Sequence, residues 1–349
     1  MNYYSELLGY SMQQATEPLV LQGDAADILP QFPVELVDCV MTSPPYWGHR
    51  VYDSGGIGLE ETPEEYVNNL LAITGHIRRV LKNTGSFWLN IGDSYSKKKL
   101  LGIPWRVALR MMDEQGWVLR NSVIWNKVKG SPDNSPNKLR NVHENVFHFV
   151  KNEKDYYYDV DAIRNTPSKT KIVNGSVVSA TGVSGVRYKR QIELSTSLSS
   201  IEKVEALKAL NEILLSVRTG AISDFRMIIR GQQRSTHSDS ERVSGRAREL
   251  AMKGFYFMKY HPNGTKPSDV WDIMPEDTQG RDAHFAPYPS DLCRIPIVAT
   301  SPRGGIVLDP FCGTGTTLYV AKQLERRSIG IDLSAVYLKQ AESRTAILL

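Results

Sequence analysis

Gly305-Ile306-Val307-Leu308-Asp309-Pro310-Phe311-Cys312-Gly313-Thr314-Gly315-Thr316-Thr317 decides how this chain folds. A short apolar run leads into Asp309, the pattern of a strand buried on both faces. Pro310 lacks a backbone donor and ends that strand. The Gly-x-Gly turn at Gly313 and Gly315 then opens a helix from Leu318. Ser328-Ile329-Gly330-Ile331 reads as the next strand, and Asp332 stands at its end, 23 positions after Asp309. Strand, glycine turn, helix, strand and acid make half of a doubly wound α/β domain. In such a domain the ligand lies beyond the carboxyl ends of the strands.

In outline this unit resembles a dinucleotide-binding fingerprint, but its details select another ligand. No glycine occupies the sixth position, where Leu318 follows Thr317. Asp309 would crowd a pyrophosphate and welcome a cation such as an α-amino group. Asp332 is spaced to accept hydrogen bonds from ribose hydroxyls. A phosphate loop of the Gly-x-x-x-x-Gly-Lys-Ser/Thr type is absent. A ribose joined to a positive amino-acid end is S-adenosylmethionine.

Only a closing helix at Ala335–Ala341 follows Asp332, so the third strand of this half must come from elsewhere. Leu19-Val20-Leu21-Gln22 is available, with Gly23-Asp24 after it. Asp24 is placed either to accept from a ligand or to cap the helix through Ala25–Leu29. The order of the domain is then circularly rearranged, with the cofactor half split between the two termini.

Between those ends, Leu36–Met41 reads as another buried strand and runs into Thr42-Ser43-Pro44-Pro45-Tyr46-Trp47. Neither proline can donate to a sheet ladder, so the strand stops in a stiff turn. That turn presents the Ser43 hydroxyl, fixed carbonyls on Ser43 and Pro44, and two aromatic rings. The combination suits a flat ring with an exocyclic amino group; a proline-terminated strand with core aromatics is the plainer alternative. Gly48–Gly56 is a polar, glycine-rich loop beside it, either a lid or an ordinary surface loop. Thr62-Pro63-Glu64-Glu65 starts a helix that carries Tyr66, Leu70, Ile73, Ile77, Val80 and Leu81 at helical spacing. Gly85–Ile91 is read as a strand, Ile103–Met112 as a helix, and Val118–Trp125 with Glu144–Val150 as an antiparallel pair. Lys127–Arg140 is a Pro/Asn-rich loop between those two.

The chain has 349 residues, 41% hydrophobic and 23% charged, enough for one large or two smaller domains. It lacks an apolar run of membrane-spanning length and a basic-then-apolar N-terminus, so a cytoplasmic protein without membrane contact is expected. Cys39, Cys293 and Cys312 are too scattered for a disulfide framework or a zinc site. The charge of +4 is uneven: residues 164–260 hold 17 Lys/Arg against 8 Asp/Glu, so they carry +9 and the remainder −5. Arg187, Lys189 and Arg190 cluster there, and Arg226, Arg230 and Arg234 follow before Phe255-Tyr256-Phe257. Cations interleaved with aromatics suit phosphate and base contacts; a solvated surface insertion is the alternative.

Ser43-Pro44-Pro45-Tyr46, the Asp309–Thr317 motif and Gly330-Ile331-Asp332, in this order, resemble the amino-group DNA methyltransferases of the permuted β class. The resemblance spans nearly the whole chain outside 164–260. It implies a Rossmann-like S-adenosylmethionine-dependent α/β fold, circularly permuted, with a catalytic half at 1–163, a target-recognition region at 164–260 and a cofactor half at 261–349. Ser43 and Pro44 would accept hydrogen bonds from the target amine, with Pro45 stiffening the turn and Tyr46 stacking on a flipped-out base. Trp47 either stacks as well or packs. The cofactor would meet Asp24, His284, Phe285, Asp309, Phe311, Gly313, Gly315, Thr316, Thr317 and Asp332. His284–Pro289 departs from the family's commoner Lys-Pro ending. Neither a metal nor a cysteine nucleophile is needed. Ser at the first motif position is associated in this family mainly with cytosine N4 and Asp with adenine N6, so Ser43 favours N4. Adenine N6, an RNA substrate and an inactive DNA-binding protein are the rival readings. Duplex DNA is the implied partner and a cognate restriction endonuclease a candidate second one; monomer and homodimer both stay open.

Overall fold

The computed structural model describes residues 3–48, 56–130, 134–167, 170–173, 175–180, 182–231, 245–276 and 288–346. They divide into two compact units, Met1–Ala162 with Ser268–Leu349, and Ile163–Pro267.

The first unit is built on one sheet of eight strands: β1 Leu19–Gln22, β2 Val37–Thr42, β3 Leu81–Ile91, β4 Val118–Asn126, β5 His143–Val150, β6 Val270–Asp272, β7 Ile306–Asp309 and β8 Arg327–Asp332. Their spatial order is β1-β8-β7-β2-β3-β5-β4-β6. Of these eight, β5 alone runs antiparallel to its neighbours. Val20 pairs with Gly330, so the strand nearest the N-terminus completes the cofactor half at the far end of the chain. β2 pairs with β7 through Cys39 and Val40, which places the ends of the two key strands side by side.

Strict alternation sorts the side chains into two layers. Val40, Phe87, Leu89, Phe147, Phe149, Leu308 and Ile329 face one core, with helices Pro63–Val80 and Ile103–Gln115. Cys39, Met41, Trp88, Val146 and Val307 face the other, with helices Ser290–Thr300 and Thr316–Gln323. Cys39 and Cys293 are therefore packing residues there. The helix start at Thr62 is a full capping box with Glu65. Leu81, which continues the helical spacing, instead opens β3 opposite Val37, and a register shift between Val37 and Cys39 takes up the extra residues. Apolar periodicity alone cannot separate the last residue of a buried helix from the first of a buried strand.

Gly315 caps the helix Thr316–Gln323 with φ +77°, and an added Cβ would lie 2.6 Å from the Cβ of Ala341 in the last helix. Gly315→Ala is expected to destabilise the protein by about 1–3 kcal/mol through backbone strain and this overlap. Denaturant unfolding would measure it; an unchanged midpoint would mean that the last helix yields freely.

The second unit pairs strand Asp224–Ile229 antiparallel with Phe255–Tyr260. Its core includes Tyr188, Ile192, Leu210, Phe225 and Met227, drawn from those strands and from helices Gly185–Glu193 and Ser200–Arg218.

Candidate active site

The carboxyl ends of β1, β8, β7, β2 and β3 open onto one cavity of about 1390 Å³. That exceeds the roughly 300–1,000 Å³ of a site for one drug-sized ligand and leaves room for two ligands. Asp24, Phe311, Gly313, Thr316 and Asp332 line it together with Ser43, Pro44, Pro45 and Tyr46.

The Pro-Pro turn is held from several sides. Tyr66 Oη donates to the Pro45 carbonyl at 2.9 Å, Ser94 Oγ to the Trp47 carbonyl at 2.8 Å, and Trp47 Nε1 to the Glu60 carbonyl at 2.9 Å. Trp47, with its N–H engaged and its ring against the core, packs as well as lining the cavity. A Cβ on Gly92 would come within 2.6 Å of the Tyr46 ring, so this glycine lets the chain leaving β3 pass directly against it.

On the cofactor side, Asp332 Oδ2 accepts from the Gly313 N–H and Oδ1 from the Ser334 N–H, each at 2.9 Å. Each oxygen keeps acceptor capacity for a hydroxyl. Burial pushes the Asp332 carboxyl above its ordinary value. Asp24 caps its helix through the Ala26 N–H and also lines the cavity, so the capping role leaves it on the cavity wall.

Asp309 is placed differently from the expectation of a cation contact. It is 0% exposed and lies outside the cavity lining. Its Oδ1 accepts from Thr42 Oγ1 at 2.6 Å and the Phe311 N–H at 3.1 Å; its Oδ2 accepts from Thr317 Oγ1 at 2.6 Å and Tyr288 Oη at 2.8 Å. Burial pushes its carboxyl up, against those hydrogen bonds. Asp309 thus ties the end of β2 to the glycine turn from beneath. Thr317 and Gly315 also stand behind the cavity wall. His284 and Phe285 lie outside the described residues, as do most of the Gly48–Gly56 loop and Arg234.

Motif reading missed a polar cluster beside Ser43. Asn90 Nδ2 lies within hydrogen-bond distance of Ser43 Oγ at 3.1 Å, Tyr46 Oη at 2.9 Å and Glu144 Oε2 at 2.8 Å, three acceptors for its two hydrogens. Tyr46 Oη donates to Glu144 Oε2 at 2.5 Å, and Lys127 Nζ pairs with Glu144 Oε1. Asn90 Oδ1 is buried and makes no hydrogen bond among the described residues. An available signal was strand polarity. β5 is antiparallel, so its first residues, His143 and Glu144, sit at the same sheet edge as the ends of β2 and β3. Lys129, Lys138 and Arg140, from a stretch taken only as a loop, line the cavity too.

In the second unit, Arg187, Lys189 and Arg190 are exposed along helix Gly185–Glu193, and Arg226 is exposed on its strand. Arg230 is tied to Glu202 at 3.0 Å and to the carbonyls of Ser197 and Ala251, so it braces this unit rather than standing ready for phosphate.

The DNA methylase family model, which spans N6 and N4 methyltransferases, matches residues 37–343. The type II methyltransferase M.SfiI of Streptomyces fimbriatus is 30% identical over 378 residues, covering 90% of this chain and 88% of that relative. Among solved structures, the PvuII DNA methyltransferase, described as cytosine-N4-specific, superposes with TM-score 0.54 at 20% identity over 93% of this chain and 85% of that one. The Thermus thermophilus protein TTHA0409, solved with S-adenosyl-L-methionine, superposes with TM-score 0.52 at 19% identity over 95% of both chains.

Proposed function

The chain belongs to the N6/N4 DNA methylase family, and from that premise we propose that it methylates the N4 amine of a flipped-out cytosine in duplex DNA, using S-adenosyl-L-methionine. The observation that carries this reading is the shared cavity, lined both by the Ser43–Tyr46 turn and by Asp332, Asp24 and Phe311.

The residues present fit the cofactor. Asp332 and Asp24 offer carboxylate oxygens to ribose hydroxyls, Phe311 offers a ring to the adenine, and Gly313, at φ +50°, keeps the turn open. When bound, S-adenosyl-L-methionine supplies an electrophilic methyl group on a sulfonium. The protein's own task is to make a poor nucleophile react. The lone pair of an exocyclic amine is delocalised into its ring. Hydrogen bonds from that amine to Ser43 Oγ and the Pro44 carbonyl favour a pyramidal nitrogen and localise the pair. Fixed acceptors act strongly in a site that excludes water, and positioning for in-line attack adds to this. Asn90 Oδ1 adds a buried acceptor without a partner among the described residues, a costly arrangement unless a ligand or water donates to it.

Cytosine rather than adenine is supported by Ser43 at the first position of the motif. Lys129, Lys138 and Arg140 supply charge for the phosphates of the extruded nucleotide. The unit Ile163–Pro267 is assigned target recognition, with Arg187, Lys189, Arg190 and Arg226 as contacts. The type II designation of M.SfiI supports a cognate restriction endonuclease as partner, and a DNA substrate supports a cytoplasmic setting.

Incubation with duplex DNA and methyl-labelled S-adenosyl-L-methionine, followed by digestion to nucleosides, tests the reading. Label in N4-methylcytosine is expected. Label in N6-methyladenine would keep the amino-methylation and overturn the base assignment; no label on DNA of varied sequence would overturn the reading itself.

A further inference from the structure

Amino methylation leaves a proton to be disposed of, and the cluster beside Ser43 is built to receive it. Tyr46 Oη donates its only hydrogen to Glu144 Oε2, at 2.5 Å. The contact between Ser43 Oγ and Tyr46 Oη, 3.1 Å, must then be made by the serine hydrogen. Asn90 Nδ2, whose two hydrogens also face Tyr46 Oη and Glu144 Oε2, takes up at most one acceptor position of Ser43 Oγ, at 3.1 Å. A hydroxyl has one hydrogen and two acceptor positions, so one lone pair of Ser43 is left for the substrate amine. The direction of the Ser43 hydroxyl is therefore set by a carboxylate two hydrogen bonds away. Glu144 is 8% exposed, and Lys127 pairs with its other oxygen. The charged and titratable groups bonded to Glu144 are Lys127, just after β4, and Tyr46 on the turn; Asn90 of β3 is neutral. Burial first, and the Glu144 carboxylate second, hold the Tyr46 phenol well above its ordinary value. It therefore stays protonated, as a hydroxyl that passes on one proton while taking another must.

We propose that Glu144 is the terminal acceptor of the amine proton, reached through Ser43 and Tyr46, and that it acts as a positioning residue for Ser43 before transfer. This rests on the amino-methylation reading above. The amine lone pair forms the new N–C bond, and the methyl–sulfur bond breaks with its electron pair going to sulfur. The nitrogen then carries a positive charge and loses one proton to Ser43 Oγ. The serine's own proton passes to Tyr46 Oη, and the tyrosine's to Glu144 Oε2, which becomes a neutral carboxyl. The network resets when that carboxyl releases its proton to water.

The test is the pH profile of single-turnover methyl transfer with cofactor and duplex saturating. The relay predicts an acid limb in the wild-type profile, because a protonated acceptor cannot take the amine proton. Glu144→Gln is expected to lose this acid limb and to run about 10²-fold slower on the plateau. Its cofactor and duplex affinities, measured separately by calorimetry, should stay within about threefold of wild type. Lys127→Met serves if the first variant fails to fold: losing the nearby positive charge moves the acid limb to higher pH. A Glu144→Gln enzyme that keeps the acid limb, or keeps the wild-type rate, overturns the relay, as does an unmoved limb in Lys127→Met. Either result leaves amino methylation intact as long as the wild-type protein labels DNA; a wild-type protein that labels none removes the premise instead.

Discussion

Ser43→Ala is expected to slow methyl transfer by about 10²–10³-fold, the scale of losing one preorganised hydrogen-bonding group at a reacting centre. The substitution removes the acceptor that polarises the amine and the entry point of the path towards Glu144. The Pro44 carbonyl, fixed by the rigid turn, remains, so transfer falls without being abolished. Cofactor affinity should hardly change, because Asp332, Asp24 and Phe311 line the cavity from other segments and make no hydrogen bond to Ser43. Single-turnover transfer and calorimetric cofactor binding separate the two effects. Wild-type turnover in Ser43→Ala would remove this hydroxyl from the mechanism.

Asp332→Ala should give the largest loss in cofactor affinity. Hydrogen bonds to a charged acceptor are worth about 1.5–3 kcal/mol each. Loss of one or two to the ribose therefore predicts a Kd raised by roughly 10- to 10³-fold or more, at about 1.4 kcal/mol per tenfold. The carboxylate also accepts from the Gly313 and Ser334 N–H groups, so part of the loss would come through the turn. Asp332→Asn keeps one acceptor, for either the Gly313 or the Ser334 N–H, and so disturbs the turn less than Asp332→Ala while removing the charge from the ribose contact. Unfolding midpoints on both variants show whether the turn has loosened. Unchanged affinity in Asp332→Ala would contradict the ribose contact.

Much of the fold was legible because parallel strands leave a recognisable mark. Short, mostly apolar runs ending in Asp309, Asp332, Gln22 and Thr42, each followed by a turn or a helix start, fit strands of one sheet covered by helices. The absence of a third strand after Asp332 led to Leu19–Gln22, which pairs with β8. Boundaries were weaker, as Leu81 shows, because helical and strand patterns coincide over a residue or two. The N-terminal helix Tyr4–Met12 gave no such mark, yet Tyr10 is buried and bonds to Ser328 in β8.

The site was legible wherever a single segment creates it. Two prolines stop a strand and aim its last groups whatever surrounds them, and an acid ending a parallel strand reaches the ligand edge by topology alone. Segments that meet only in space were not legible. Asp309 looked like a cation partner because the sequence does not reveal that Thr42, Tyr288 and Thr317 converge on its oxygens. Glu144 looked like an ordinary strand residue because its position depends on β5 running against its neighbours. Ser43 and Glu144 are separated by 101 positions in the chain. Local rules place strands, turns and the groups they present. Which of those groups share a hydrogen bond depends on the packing of distant elements, and that was decided only when the sheet brought β2, β3 and β5 to one edge.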